Sequence, residues 1–345
     1  MRQKRGPARW VLAVIAVAIL VAAVDIGAFV LARGGTMTSA DAEAAPGGSV
    51  AVIDPVAGRL VDQVAVGHEP TIIRAGYGAV WVLNKADGTV TRIDGRSHKV
   101  VDTLSPDAAV NALTVGAGGV WLAGHSQRDL SGPLELAALE RINPTTGAVD
   151  RTFETKTGTT VFAAGGGSLW STGFLGGHIR GAARSDAVSG AMNKLEIGIY
   201  GDLVAADDLA AYYVATVGDR IVRVSTRTGL LTNTLPLATD ASLAAGNVPP
   251  NPTDVAVGGG AVWISETDGT VLRIEPRLNG ITASIPACRN ALAIAYGERA
   301  VWVACGNNTV VRIDPATDSP AAPILVGRLP RGIAAGAGAV WVTLN

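Results

Sequence analysis

"GAVWVLNKADGTVTRID", Gly78–Asp94, reads as a strand, a tight turn and a second strand. The chain writes it again as "GAVWISETDGTVLRIE" (Gly260–Glu275) and "RAVWVACGNNTVVRID" (Arg299–Asp314), and it stops at "GAVWVTLN". A segment repeated this often is an architectural unit. Aligned on the aromatic after the valine, the repeats fall at Trp81, Trp121, Trp170, Tyr212, Trp263, Trp302 and Trp341, spaced 40, 49, 42, 51, 39 and 39 residues apart. A period near 40 with several short β-runs per repeat predicts a propeller, and the lack of a 3.6-residue period excludes a helical solenoid.

Within a repeat the chain predicts four strands, which in the first complete one are "TIIRA", "AVWVLN", "TVTRID" and "KVVDTLS". The joints "GYG", "KADG" and "GRSH" carry the Gly, Asp and Ser of hairpin turns. Alternation in "TVTRI" directs Val90 and Ile93 into the packing between neighbouring blades. One Trp per blade at the same strand position predicts an inter-blade core. The last repeat, "RGIAAGAGAVWVTLN", supplies only two strands. The missing two lie in "SVAVIDPVAGRLVDQVAV", Ser49–Val66, which has the third- and fourth-strand form. The expected fold is therefore all-β, a seven-bladed propeller over 49–345 whose last blade is completed by both chain ends, which removes free sheet edges.

A separate device precedes it. "MRQKRGPAR" (1–9) carries four basic residues, and residues 10–32 form a 23-residue run with Asp25 as its one charge. At about 1.5 Å per residue such a helix spans a ~30 Å hydrocarbon core. The basic excess before it, against Arg33 alone after it, predicts a transmembrane anchor with its short end in the cytoplasm and the propeller outside a bacterial cell membrane. Residues 33–48 are the linker. The alternative is a cleaved signal peptide, with small-residue sites after Ala32 and Ala42, and secretion of the body. No Cys lies in this region to carry a lipid. A net charge of −1 and a pI of 6.4 give no electrostatic reason to expect nucleic acid.

The "GAVWV-N…GTV-RID" repeat resembles the YVTN-type propeller repeats of bacterial exported proteins, and it is similar to the streptogramin (virginiamycin B) lyase superfamily of seven-bladed propellers. The resemblance covers nearly all of 49–345. It implies the fold, and for the lyases a chemistry needing Pro-His-Gly at the start of a first strand, Glu-x-His after a second strand, and magnesium. Here the first strands start "PTI" at Pro70, "PTD" at Pro252 and "PRG" at Pro330, and the second strands end in "LNK", "SET" and "CGN". His68 precedes its Pro, and His125 lacks a Glu two residues earlier. Without an imidazole at those places, base catalysis of the lyase kind has no agent, and we expect no such activity.

Other signatures are absent: no HExxH, P-loop or GxSxG occurs. The four His are dispersed, and His98, in a turn between a third and a fourth strand, is expected to be a solvated surface residue. Asp87-Gly88 and Asp268-Gly269 read as hairpin turns. Cys288 lies just before a first strand and Cys305 just after the neighbouring second strand, so in an exported protein the two should form a disulfide.

Two insertions, 125–137 and 239–250, lengthen connections that emerge where first strands begin, on the same side as both Cys. Loop elaboration on a uniform scaffold is where binding is usually carried. The rim and funnel residues of that face are His68, Glu69, Asn84, Lys85, His125, Glu266, Arg289, Asn290, Asn307 and Arg331. We expect them to serve a protein partner or a small-molecule or cell-envelope ligand, with no cofactor, metal or nucleic acid involved. The alternative is a lyase- or lactonase-like enzyme with a metal in the central funnel.

Overall fold

A computed structural model of the chain describes residues 48–345 apart from 107, 127–136, 156, 176–178, 199–202, 216–219, 238–250 and 279. The expected anchor over 10–32 and nearly all of both insertions lie outside the described residues. Among those described, no helix is long and apolar enough to cross a membrane.

The described residues form seven antiparallel sheets. Blade 1 runs Pro70–Gly76, Ala79–Asn84, Thr89–Asp94 and Val100–Leu104. Blade 2 is Ala108–Gly116, Gly119–Ser126, Ala137–Ile142 and Val149–Thr155, and blade 3 is Thr157–Gly165, Ser168–Leu175, Ile179–Asp186 and Met192–Leu195. Blade 4 is Leu203–Ala206, Ala210–Ala215, Arg220–Ser225 and Leu231–Pro236, and blade 5 is Pro252–Gly258, Ala261–Glu266, Thr270–Glu275 and Gly280–Pro286. In blade 6, Ala291–Gly297, Ala300–Cys305 and Thr309–Asp314 are followed by two short pieces, Ser319–Pro320 and Ile324–Leu325, both paired to the third strand. Pro320 and Pro323 remove two amide donors there and interrupt what would be one outer strand.

Blade 7 joins the chain ends as expected. Pro330–Gly336 and Ala339–Leu344 are its inner strands, Ser49–Asp54 and Arg59–Ala65 its outer ones, and Ser49 pairs with Leu344 while Ile53 pairs with Val340. Each first strand touches the first strands of the adjoining blades, and that of blade 7 touches that of blade 1, so the ring is closed. Neighbouring blades come close at the ends of first strands. A Cβ on Gly297 would overlap the Ala335 carbonyl of blade 7, and one on Gly76 would overlap the Val115 side chain of blade 2. That crowding accounts for the glycine five residues before Trp81, Trp121, Trp170, Trp263 and Trp302.

Outside blade 4, whose connection is the three-residue Asp207–Leu209, the first-to-second turns are two-residue hairpins with left-handed backbone at both positions, as in Tyr77–Gly78 (φ 55° and 73°) and Ala337–Gly338 (φ 56° and 86°), the geometry that suits the twist of the flanking strands. The second strands "AVWVLN", "AVWISE", "AVWVAC" and "AVWVTL" are buried along their whole length, with a strand on either side and a sheet on either face. All six Trp of the repeats are fully buried. Five of them, Trp121, Trp170, Trp263, Trp302 and Trp341, donate the indole N–H to the carbonyl of the Gly five residues earlier at 3.0–3.2 Å. Val90 and Ile93 are both buried but on opposite faces, Val90 with Val110 and Leu113 of blade 2 and Ile93 with Val52 and Trp341 of blade 7.

His98 corrects the sequence reading. Its Nδ1 lies 3.0 Å from Asp62 Oδ2, its side chain is only 23% exposed, and its ring meets the Trp341 ring edge-on at 5.2 Å. Blade 7 lies against that turn, and its two contributing strands are too distant in sequence for a local reading to place them there.

Candidate functional site

The face where first strands begin is held together by a recurring bond: the residue after a second strand donates its amide to the residue before the first. Lys85 bonds Glu69, Thr267 bonds Asn251, Gly306 bonds Asn290 and Asn345 bonds Leu329, at 2.9–3.1 Å. Glu69 and Asn290 occupy the same place in their blades and both have left-handed backbone, φ 50° and 58°. Cys288 and Cys305 are joined as expected, with a Cα–Cα distance of 6.2 Å. Ala287 and Cys288 also donate to the Gly269 carbonyl of blade 5 at 3.1 and 3.2 Å, which ties that turn to its neighbour.

Seven of the ten residues singled out from sequence are exposed: His68, Glu69 and Lys85 in blade 1, Arg289, Asn290 and Asn307 in blade 6, and Arg331 in blade 7. Blades 6, 7 and 1 are consecutive, so these residues share one arc of the rim. Asn84 and Glu266 are buried, Asn84 fully and Glu266 to 6% exposure. The Asn84 amide donates to the Thr89 and Thr91 hydroxyls at 3.0 and 2.8 Å, which makes it a brace between the second and third strands. His125 is the last residue but one of the second strand of blade 2, opposite Ala109, and its side chain lies outside the described residues.

On the arc, Asp87 binds His68 twice. Its carboxylate accepts the His68 amide at 2.7 Å and lies 3.0 Å from the ring Nδ1. The amide bond comes first among the causes that hold the Asp87 carboxyl below its ordinary value, followed by the bond and charge of the His68 ring. Asp87 therefore orients the imidazole with Nδ1 inward, the arrangement that leaves Nε2 to carry the ring's binding capacity. Among the described residues no group of three or more His, Cys, Asp or Glu is arranged to hold a metal ion.

The first strands also line the central channel. Seven residues before the repeat aromatic stand Arg74, Thr114, Ala163, Ala205, Ala256, Ala295 and Ala334, and together with their neighbours they surround a cavity of about 300 Å³. One level nearer the rim, nine residues before the aromatic, the set is Ile72, Ala112, Val161, Leu203, Asp254, Ala293 and Gly332. Each ring holds one charged residue among small or apolar ones, and among the described residues the lining as a whole holds one Arg and one Asp. Arg74 is on blade 1 and Asp254 on blade 5, across the ring and about 7 Å apart along a strand at ~3.4 Å per residue.

Among solved structures, the β-propeller domain of Cps50 (Swd1) from Myceliophteria thermophila superposes with a TM-score of 0.59 at 11% identity, over 79% of this chain and 96% of that one. The chain is a seven-bladed β-propeller. No family model matches it, and no curated protein does.

Burial governs both channel charges. It pulls the Arg74 pKa below its ordinary value against the opposing charge of Asp254. It raises that of Asp254, partly offset by the Arg74 charge and by amide bonds. Asp254 accepts the Val255 amide at 2.8 Å and, across the blade boundary, the Ile294 amide at 3.0 Å. Arg74 donates Nη1 to the Ile73 carbonyl at 2.9 Å. Both side chains lie deep in protein yet keep part of their surface on the channel. Sequence reading by motif passed over this pair, because neither residue belongs to one. The signal was nonetheless present: in the repeat alignment they are the charged exceptions at positions that are otherwise small or apolar.

Proposed function

We propose that this propeller is an exported interaction module, held at a bacterial membrane by residues 10–32 or released after their cleavage, that engages a partner through the rim of blades 6, 7 and 1. The observation that carries the reading is the arc of seven exposed polar residues on backbone pinned by the rim hydrogen bonds and the Cys288–Cys305 bond. A rigid rim limits the ordering entropy that association must offset. The disulfide agrees with an oxidising compartment. Kinship with YVTN-type propellers is part of the same proposal and rests on the repeat motif.

A photo-crosslinking amino acid at Asn307 or Arg331, in cells carrying the full chain, should give discrete adducts. The same group at Val188, in a third-to-fourth turn on the opposite face, should give none. Equal labelling from both faces would refute the rim reading. A reporter fused after Asn345 should be active only outside the cytoplasm, and the mass of the membrane-bound chain separates an anchor from a cleaved signal.

A further inference from the structure

The central channel presents two charges that do not meet. No ion pair within 4.0 Å joins Arg74 to Asp254, although each bears on the other's titration. Arg74 makes a single protein hydrogen bond among the described residues, to a carbonyl of its own strand. A guanidinium has five N–H donors in a planar fork, and in a shielded site the unfilled ones favour an acceptor with two oxygens. Asp254 gives each carboxylate oxygen one amide, and each oxygen retains a second acceptor position. The wall between is Ala75, Ala163, Ala205, Ala295 and Ala334, with no further charge among the described residues. The cavity of about 300 Å³ lies at the lower end of the ~300–1,000 Å³ range of small-molecule pockets.

We propose that the channel binds a small zwitterion of free amino-acid size, its carboxylate on the Arg74 guanidinium and its ammonium on the Asp254 carboxylate. The charge balance selects this class. An anion alone on Arg74 would face the Asp254 charge across a poorly screened channel, and a cation alone on Asp254 would face Arg74. An apolar molecule would leave both charges desolvated and unmatched. A zwitterion meets both and leaves the channel neutral. The site lies inside the ring and is distinct from the rim, so it stands or falls independently of the partner surface proposed above.

The test is calorimetric titration of the full chain in detergent with glycine, alanine, serine, leucine, glutamate and lysine, beside two half-probes, acetate and ethylammonium. At least one amino acid should bind at least about tenfold more tightly than either half-probe, a difference of about 1.4 kcal/mol. Arg74→Met and Asp254→Asn should each weaken that binding by about tenfold or more. The half-probe comparison uses the unaltered protein, so it holds even where a variant fails to fold. Acetate binding as tightly as every amino acid would overturn the proposal in favour of a plain anion site. Absence of heat with all the amino acids, or binding untouched in both folded variants, would overturn it outright.

Discussion

Two kinds of seam hold the ring, and they differ in what covers the buried Trp. In an ordinary blade the third strand places an Arg opposite the Trp of the second: Arg92 lies over Trp81 at 5.2 Å, Arg184 over Trp170 at 5.3 Å, Arg273 over Trp263 at 5.4 Å and Arg312 over Trp302 at 6.0 Å. In blade 7 the third strand comes from the other end of the chain, and it places Val52 opposite Trp341. There the cover comes from outside the blade. His98 of blade 1 sets its ring edge against Trp341 and binds Asp62 on the blade's outermost strand. One imidazole thus touches strands from both chain ends. Where connectivity cannot hold a blade together, a neighbour's side chain spans it.

The largest expected effect comes from removing the Trp. Trp341→Ala and Trp302→Ala should each lose about 3–5 kcal/mol of stability, as buried aromatic truncations do. They should differ in where the ring opens. With Trp341→Ala, hydrogen exchange should rise first at the amides of Ser49–Ile53, which pair with the truncated strand. Even exchange over all blades in both variants would show that the closing seam is nothing special.

Next in size is the Cys288–Cys305 bond, which closes a 17-residue separation in an ordinary blade and should contribute about 3 kcal/mol in the chain-entropy model. The Cys288→Ser, Cys305→Ser double variant should melt lower yet keep blade 7 as the first to exchange. If blade 6 opened first, the ranking of seams would be reversed.

His98→Ala should lose about 1 kcal/mol, combining an aromatic edge contact with a partly exposed hydrogen bond to Asp62. Arg312→Met, which removes the corresponding cover from an ordinary blade, should lose about as much. Chemical denaturation of the two variants checks this, and a His98→Ala chain as stable as the parent would deny the imidazole its role at the seam.

The smallest effect is local and should ignore the seam. Asp54 of blade 7 and Asp94 of blade 1 both cap a third-to-fourth turn. Bonds to Ala57 and Val56, and to Ser97 and Arg96, hold their carboxyls below the ordinary 3.8. A depressed carboxylate adds stability that is complete above the unfolded value and is lost as pH falls through the folded one. Asp54→Asn and Asp94→Asn should therefore be less stable than the parent at pH 7, with the gap closing below about pH 3.8. The two gaps should be alike. A larger gap for Asp54 would mean that the closing blade depends on its turn.

Much of this molecule is legible in its sequence. The Trp and Gly positions, the hairpin turns, the closure by Ser49–Val66 and the disulfide follow from patterns with a short range: period-2 alternation, turn chemistry and a repeat near 40 residues. Asn84 and Glu266 escaped that reading. They end second strands, where a polar residue is as compatible with a mouth lining as with a brace, and only the position of Thr89 and Thr91 decides for Asn84. The Arg74–Asp254 pair escaped for another reason. A motif joins residues that chemistry recognises together in sequence, whereas these two lie 180 positions apart on blades 1 and 5.

By itself, then, the sequence determined the blade: which residues alternate into a strand, where it turns, how many times it recurs, and that the two ends share the last one. Those are properties of one chain segment and its immediate neighbours, set by backbone sterics and by the burial of one face. The tertiary structure decided what the ring makes of the exceptions. It carried His98 to a Trp 243 residues away, turned Asn84 inward, gathered the polar rim on three consecutive blades, and set Arg74 and Asp254 around one channel. Such meetings depend on closure, because charges and rings interact through distance in space, and the ring alone sets which distant positions come near.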